Sequence, residues 1–436
     1  MTPVTIPRRL TGAHLVAVVC AAQVLVQLGA YFWPALLPGM MSLWGLTNSE
    51  AGWITAIFYG AYLLAVPILV TLTDRIDARW VYLFGVGCTI TAHLLFGLVA
   101  EGFWSALALR ALAGIGWAGT YMTGLKLLSD HVDEKLMSRA TAGHAASIGI
   151  SGGVSFACAD LLAGAFGWPS AFLVAATTAI MAWLIVALLV PRRTTPLPRA
   201  ADGHALFDFR PVFRNRSAMA YAVAYCIHTL EMNALRGWGV AFLAFVAAST
   251  QVSTGAAASF SPTYVLTALG VIGTFASVFG NEAAIRWGRV KLITLAMLAS
   301  VAVSGSIGFV GTASYPLAVG LMLIYGFVVW LDSSSLTAGA AGTAEPSRRG
   351  ATLAVHSMLG YTGGVIGPLM IGYTLDLVGG FTRDARIAWG VSFGLIAVLM
   401  LLALAAFRLM RPRELAGDRR ARLKPKIDRC RWTYLP

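Results

Sequence analysis

Residues 140–154 read ATAGHAASIGISGGV, and residues 351–365 read ATLAVHSMLGYTGGV. The two stretches share an initial Ala-Thr, one central glycine and a final Gly-Gly-Val at a single offset, since 351 − 140 = 211 and 363 − 152 = 211. The same shift places Arg75 on Arg286, in a distant part of the chain. One offset that serves two separate regions indicates an internal duplication.

The composition places both copies in a lipid bilayer. Of the 436 residues 58% are apolar and 12% are charged, a balance that does not suit a water-exposed surface. A bilayer needs about 20 apolar residues per helical span. About twelve such spans are predicted: 13–37, 50–72, 80–100, 103–128, 140–164, 168–190, 217–246, 262–285, 290–312, 315–338, 351–377 and 387–407. The first is longer than a signal-peptide core and is expected to be retained.

The distribution of charge predicts the orientation. The net charge is +13, but the basic residues gather in alternate loops, so membrane topology rather than nucleic-acid binding explains them. The opposite loops 38–49, 101–102, 248–261 and 313–314 hold no Lys or Arg, and only 379–386 breaks the pattern. By the positive-inside rule both termini are expected in the cytoplasm, and the chain in the cell inner membrane.

The duplication and the loops together predict the domain organisation. We expect a six-helix bundle over 1–190, a basic cytoplasmic linker over 191–216, a second six-helix bundle over 217–410 and a basic cytoplasmic tail over 411–436. The tail is either a topology anchor or a contact for anionic headgroups. Parallel repeats about an axis along the membrane normal are typical of secondary transporters that expose a central site alternately to each side.

Two related loops carry a resemblance to a known family. Residues 70–79 (VTLTDRIDAR) resemble the G-x-x-x-D-R-x-G-R-R signature of the major facilitator superfamily, with Val70 and Asp77 in place of its glycines. Residues 280–289 (GNEAAIRWGR) carry a related version in the second half. The resemblance implies twelve helices in two pseudo-symmetric bundles and a gating role for the charged residues of both loops: Asp74, Arg75, Arg79, Glu282, Arg286 and Arg289. The alternative is that they only anchor the topology.

Two glycine-rich spans extend the resemblance. Residues 109–119 (LRALAGIGWAG) look like the family's R-x-x-x-G-x-G motif, which implies that Arg110 takes part in proton transfer or substrate binding, unless it snorkels to the interface. Residues 360–372 carry a Gly-Pro element that drug/proton antiporters of the family have in the fifth span. The fifth span of this chain lacks that pair, and we interpret the glycines as helix-packing faces.

The seventh predicted span holds the most polar cluster. His228, Glu231 and Arg236 lie where hydrocarbon is expected, and ionisable groups at such a depth must face water, protein or a partner. His228 and Glu231 are three residues apart and could form a coupled protonatable pair, since burial tunes such groups toward the range used in proton coupling. Arg236 either binds an anionic substrate or pairs with Glu231. Asp332, beside three serines in the tenth span, is expected to face a cavity.

Four further side chains are candidates for the wall of a substrate cavity, although interfacial belts also use aromatic residues: Gln27, Trp117, Tyr121 and Trp330. No P-loop, HExxH or GxSxG motif is present, so an enzyme is not expected. No CxxC pair occurs among the five cysteines, so neither a cofactor nor a metal is expected.

The sequence therefore predicts a secondary active transporter of a small organic solute, coupled to protons and monomeric in the bilayer, with no nucleic-acid partner. Two alternatives remain open. One is an organic-anion uptake carrier that uses Arg110 and Arg236. The other is a transporter-like sensor that binds its ligand without turnover.

Overall fold

The structure is a computed structural model of the chain. It describes residues 12–73, 75–192, 209–250 and 260–415, together with Asp418. Helices are the only regular secondary structure within these ranges. The prediction of an all-α membrane fold is confirmed.

Eight helices form the six spans of the first half: α1 (Ala13–Gln27), α2 (Phe32–Trp44), α3 (Asn48–Leu72), α4 (Ala78–Val99), α5 (Phe103–Ala118), α6 (Tyr121–His131), α7 (Glu134–Phe166) and α8 (Trp168–Leu189). The first span consists of α1 and α2 and extends beyond its predicted end to Trp44. At the break between them, a Cβ added to Gly29 would lie 2.7 Å from the side chains of His93 and Ala175. Only glycine fits this close approach.

The second half repeats this plan: α9 (Arg210–Arg214), α10 (Arg216–Ser249), α11 (Pro262–Trp287), α12 (Arg289–Val310), α13 (Tyr315–Trp330), α14 (Ser333–Thr343), α15 (Arg349–Thr382) and α16 (Ala385–Leu409), with short 3₁₀ turns at Gly311–Ala313 and Pro346–Arg348. Gly119 and Thr120 separate α5 from α6, and Leu331 and Asp332 separate α13 from α14. These breaks are 331 − 119 = 212 residues apart, which is within one residue of the repeat offset of 211. The helix break thus follows the offset of the repeat, whereas α10 is continuous where the first span is broken.

Ten helical segments of the described chain are long and apolar enough to cross a membrane. The other two predicted spans, 103–128 and 351–377, are helical as α5 with α6 and as α15. Large apolar side chains such as Leu188, Phe275 and Leu409 are exposed on the outer surface. An exterior of this kind suits lipid tails.

The two ends of the bundle differ in what they hold. Val190, Asn215 and Met410 lie at one end, which we call the linker side, where Asn215 Nδ2 donates to the Thr343 carbonyl over 2.9 Å. Thr47 and Asp384 lie at the opposite end, the far side. Residues 1–11, 193–208 and 419–436, which include most of the predicted linker and tail, lie outside the described residues. The predicted domain boundaries stay predictions.

Small residues bring the helices into close contact. A Cβ on Gly367 would lie 2.2 Å from the Leu230 carbonyl oxygen, so this glycine lets α15 pack directly on α10. A Cβ on Gly270 would lie 2.8 Å from Gly153 Cα, and this contact joins α11 to α7 across the two halves. The glycines of the fifth and eleventh spans therefore act in helix packing.

Candidate functional site

A cavity of about 420 Å³ lies between the two halves. Its wall includes four residues that the sequence had suggested: Trp117, Tyr121, Arg236 and Trp330. Further aromatic rings from both halves complete it: Tyr31, Tyr59, Tyr225 and Tyr361. Polar atoms come mainly from Thr229, Asn233, Ser277, Ser333 and Ser334. A space of this size suits one small organic molecule.

Helix α10 supplies much of this wall, and its periodicity explains which residues face the cavity. Asn215 begins the helix by accepting a hydrogen bond from Ala218 N through its side chain. Tyr225, Thr229, Met232 and Arg236 then recur at spacings of three and four along one face, and all four line the cavity. His228 and Glu231 do not line the cavity and contact side chains of the second half instead, so the polar cluster of this span is divided between two sites.

Arg236 is the cation of the cavity. Its Nη1 donates to Tyr31 Oη over 2.8 Å. Its guanidinium carbon lies 5.0 Å from the centre of the Tyr31 ring and 4.6 Å from that of Trp330. Among the described residues no carboxylate forms an ion pair with it. The alternative that Arg236 pairs with Glu231 is therefore wrong, because the two side chains leave α10 on different faces.

Glu231 is buried behind the cavity wall. Its carboxylate accepts a hydrogen bond from Tyr325 Oη on α13 over 2.7 Å, and a second from Ser300 Oγ on α12. Hydroxyl donors can hold either an ionised or a protonated carboxyl, because a hydroxyl both donates and accepts. Both hydrogen-bond partners of Glu231 are thus neutral hydroxyls that can accommodate either charge state of the carboxyl.

The acidic side chain in direct contact with His228 is that of Asp332, whereas the sequence suggested Glu231 as its partner. The imidazole Nδ1 lies 3.0 Å from Asp332 Oδ1, and both side chains are buried. Asp332 lies at the break between α13 and α14 and contacts the imidazole, whereas the Glu231 carboxylate is bound by Ser300 and Tyr325. Asp332 does not line the cavity, although Ser333 and Ser334 beside it do.

A stack of rings connects this pair to the cavity. Tyr225, in the cavity wall, stacks on His228 with centroids 5.6 Å apart and on His356 with centroids 4.0 Å apart. His228 Nε2 has no hydrogen-bond partner among the described residues. The imidazole therefore lies one ring behind the cavity.

Arg110 and Gln27 lie outside the central cavity. Arg110 is 2% exposed, which excludes the alternative that it snorkels to the interface. Its Nη1 lies 3.3 Å from the Ala30 carbonyl, at the break between α1 and α2, and its guanidinium lies 4.3 Å from the centre of the Phe58 ring. Gln27 faces a separate small space in the first half, beside His93 and Trp117.

The charged residues of the two signature loops contact their own halves. Asp74 lies outside the described residues, and Arg75 is exposed. Buried Arg79 donates to the Ala187 carbonyl, which ties the start of α4 to the end of α8. Glu282 and Arg286 form an exposed pair at 2.8 Å on α11.

Arg289 is the most enclosed of these residues. It is buried and pairs with Asp418 at 3.2 Å, and it also donates to Asn281 Oδ1 and to the Ser335 carbonyl. Glu414 caps the start of α12 by accepting from the backbone amide of Arg289 over 2.7 Å. The segment after α16 therefore lies against the linker side of the second half.

Sequence reasoning missed the residue that joins the halves at the far side. Asp376, near the end of α15, accepts hydrogen bonds from Asn48 N (3.1 Å), Asn48 Nδ2 (2.8 Å) and Ser49 N (2.6 Å) at the start of α3. An acid at the far end of an apolar span, opposite the helix-start sequence Thr47-Asn48-Ser49-Glu50, was the available signal.

Two further hydrogen bonds join the halves at or near the same end. Trp53 Nε1 donates to Tyr373 Oη over 2.8 Å, and Thr263 Oγ1 donates to Asp160 Oδ2 over 2.9 Å.

No cluster of three or more His, Cys, Asp or Glu side chains that could hold a metal occurs in the described part of the chain.

Comparison with known proteins agrees with this architecture. A bacterial homologue of the human lysosomal transporter Spinster, solved in an inward-facing and occupied conformation, superposes with a TM-score of 0.76 over 91% of this chain and 96% of that one, at 13% identity. The nucleoside transporter NupG gives a TM-score of 0.71 over 90% of this chain and all of that one, at 15% identity.

Sequence relatives point the same way. The uncharacterised MFS-type transporter YbcL of Bacillus subtilis is 22% identical over 86% of this chain and 93% of its own. The sphingosine-1-phosphate transporter SPNS2 of Mus musculus is 21% identical over 88% of this chain and 73% of its own. The family model described as Major Facilitator Superfamily matches residues 19–345 and 264–434. The chain belongs to this superfamily of membrane transporters.

Proposed function

We propose that this protein is a secondary active transporter that moves a small organic solute through the central cavity by alternating access, coupled to a proton gradient. The observation that carries the proposal is the division of α10 into two faces. One face lines a cavity between the halves, and the other holds Glu231 and His228 against the interior of the second half.

The contacts between the halves support an inward-facing state. Asp376 and Tyr373 join the second half to α3 at or near the far side. The linker side carries most of the basic residues, so we assign it and both termini to the cytoplasm. We further propose that the protein is a monomer in the cell inner membrane. Closure of the far side then leaves the cavity accessible from the cytoplasm.

Coupling follows from the shared helix. Glu231 is enclosed by Ser300 and Tyr325, and a change in its charge changes how α10 packs on α12 and α13. Because α10 also carries Arg236, proton binding behind the wall alters the position of the cavity's cation. The His228–Asp332 pair, one ring behind Tyr225, offers a second protonatable group.

We assign the signature loops to gating. Arg79 and Arg289 each hold a helix end within their own half, so each half moves as a stiff unit when the far side opens.

Reconstitution into liposomes tests the proposal. A thermal-shift screen of small organic solutes at two pH values identifies ligands, and their flux is then measured with and without a pH gradient. We expect gradient-driven accumulation by the wild type, and exchange without accumulation by Glu231→Gln. Glu345→Gln, at an exposed acid of the second half that belongs neither to the cavity nor to the signature loops, is the matched control.

The proposal fails if no ligand responds to the gradient and Glu231→Gln changes nothing. Ligand-stabilised folding without exchange would favour a sensor.

A further inference from the structure

We propose that the central cavity binds a singly charged organic anion with a flat aromatic body, and that Arg236 holds the anionic group. This inference rests on the proposed function, because it takes the cavity to be the transport site.

The first argument is charge. Arg236 lines the cavity about halfway along α10, between Arg216 and Ser249. A cation at this depth in a membrane protein needs a counter-charge or water. It hydrogen-bonds to the neutral Tyr31 hydroxyl, and no carboxylate of the described residues pairs with it. The counter-charge is therefore left for a ligand to supply.

The second argument is that the neighbouring acids are already engaged. Glu231 accepts from Ser300 and Tyr325, and Asp332 faces His228. Neither acid belongs to the cavity wall, and no Asp or Glu occurs among the described residues that line it. The wall therefore disfavours a cationic ligand, which would face Arg236 without a compensating carboxylate.

The third argument is the shape and chemistry of the wall. Tyr31, Tyr59, Trp117, Tyr121 and Trp330 surround the cavity together with Tyr225. Aromatic faces and edges pack well against a flat ring. Trp330 already lies 4.6 Å from the Arg236 guanidinium, so a ring against this wall would hold its anionic group close to the cation.

The fourth argument is an unused donor. Trp117 Nε1 is buried and has no hydrogen-bond partner among the described residues. A buried indole N–H usually finds an acceptor. Trp117 comes from the first half and Arg236 from the second, so an anion with several acceptor atoms could hydrogen-bond to both halves.

A matched series of naphthalene ligands tests the charge preference with purified full-length protein. Naphthalene-2-sulfonate is an anion at every working pH, naphthalene-2-sulfonamide is its neutral counterpart, and (2-naphthylmethyl)trimethylammonium is the cation. Benzenesulfonate and naphthalene-2-carboxylate vary the ring and the anionic group. Affinities are measured by isothermal titration calorimetry.

We expect the sulfonate to bind on the order of 30-fold more tightly than the sulfonamide, since removing one partner of a buried charge pair costs at least that factor. Arg236→Gln should remove this difference, and Arg236→Lys should keep part of it. Arg386→Gln, at an exposed arginine of α16, should bind like the wild type.

Three results overturn the inference: equal or tighter binding of the neutral or cationic ligand, unchanged discrimination in Arg236→Gln, or no binding of any of the three anions. The wild-type comparison needs no variant, so it stands even if Arg236→Gln fails to fold. Charge-selective binding without pH-driven flux would contradict the proposed function alone. Gradient-driven transport of a cation would contradict the anion inference alone.

Discussion

Substitution of Asp376 by alanine should open the far side of the transporter. The first turn of a helix leaves its backbone N–H groups without intrahelical partners. In α3 the Thr47 hydroxyl accepts from Glu50 N, but Asn48 N and Ser49 N donate to Asp376, which belongs to the other half. The start of α3 is thus completed only while the halves are in contact here.

The size of the effect follows from these contacts. Asp376 accepts three hydrogen bonds, two of them from backbone amides at the positive end of a helix. Hydrogen bonds to a charged group contribute about 1.5–3 kcal/mol each when buried, but Asp376 is only partly buried, and water replaces part of them on opening. We therefore expect a loss of about 2–3 kcal/mol from the far-closed state, which shifts the equilibrium by a factor of about 30 to 150.

Electron–electron double resonance measures this shift. Spin labels at Glu101 and Ala313 report on far-side loops of the first and second halves, in a background without the five native cysteines. We expect Asp376→Ala to add a population at longer distance, and Asp376→Asn to have a smaller effect because the amide oxygen still accepts. Asp384→Ala, which removes an exposed acid that caps α16 within its own half, is the control. An unchanged distance distribution in Asp376→Ala would refute the gating role.

Two further substitutions test the packing of the second half. Asp418→Ala leaves buried Arg289 without its carboxylate and should lower the free energy of unfolding by about 3–5 kcal/mol. The measurement is thermal stability in detergent. An unchanged melting temperature would show that the segment after α16 does not stabilise the bundle. Gly367→Ala places a Cβ 2.2 Å from the Leu230 carbonyl and should destabilise by about 1–3 kcal/mol. Gly320→Ala, where nothing lies within 4 Å, should be neutral or slightly stabilising, and equal effects of the two glycine substitutions would argue against close packing of α15 on α10.

The fold was predictable because its signals repeat. The offset of 211 and the alternating basic loops indicate two six-span halves from the sequence alone, and the helix breaks at 119–120 and 331–332 follow this offset to within one residue. Breaks themselves were not predicted, since Gly119 and Thr120 lie in a continuous apolar stretch. Hydropathy shows which segments are apolar, but it does not show where a helix breaks within such a segment.

The site was only partly predictable because helical spacing identifies a face and not its neighbour. His228 and Glu231 do share a side of α10, yet His228 contacts Asp332. Glu231 instead accepts hydrogen bonds from the hydroxyls of Ser300 and Tyr325. The role of Asp376 was not predicted for the same reason, since its partners lie more than 300 residues away along the chain. Such pairings depend on tertiary packing, which one sequence does not specify locally.

The central claim is proton-coupled transport through the cavity, and one flux measurement tests it most directly. Radiolabelled naphthalene-2-sulfonate, whose own charge does not vary with pH, is followed in proteoliposomes with an imposed pH gradient and, separately, under exchange at equal pH. We predict that wild-type protein accumulates the anion only with the gradient, and that Glu231→Gln exchanges it but does not accumulate it. Exchange by the wild type with no response to the gradient, or gradient-driven accumulation by Glu231→Gln at the wild-type level, would contradict the account.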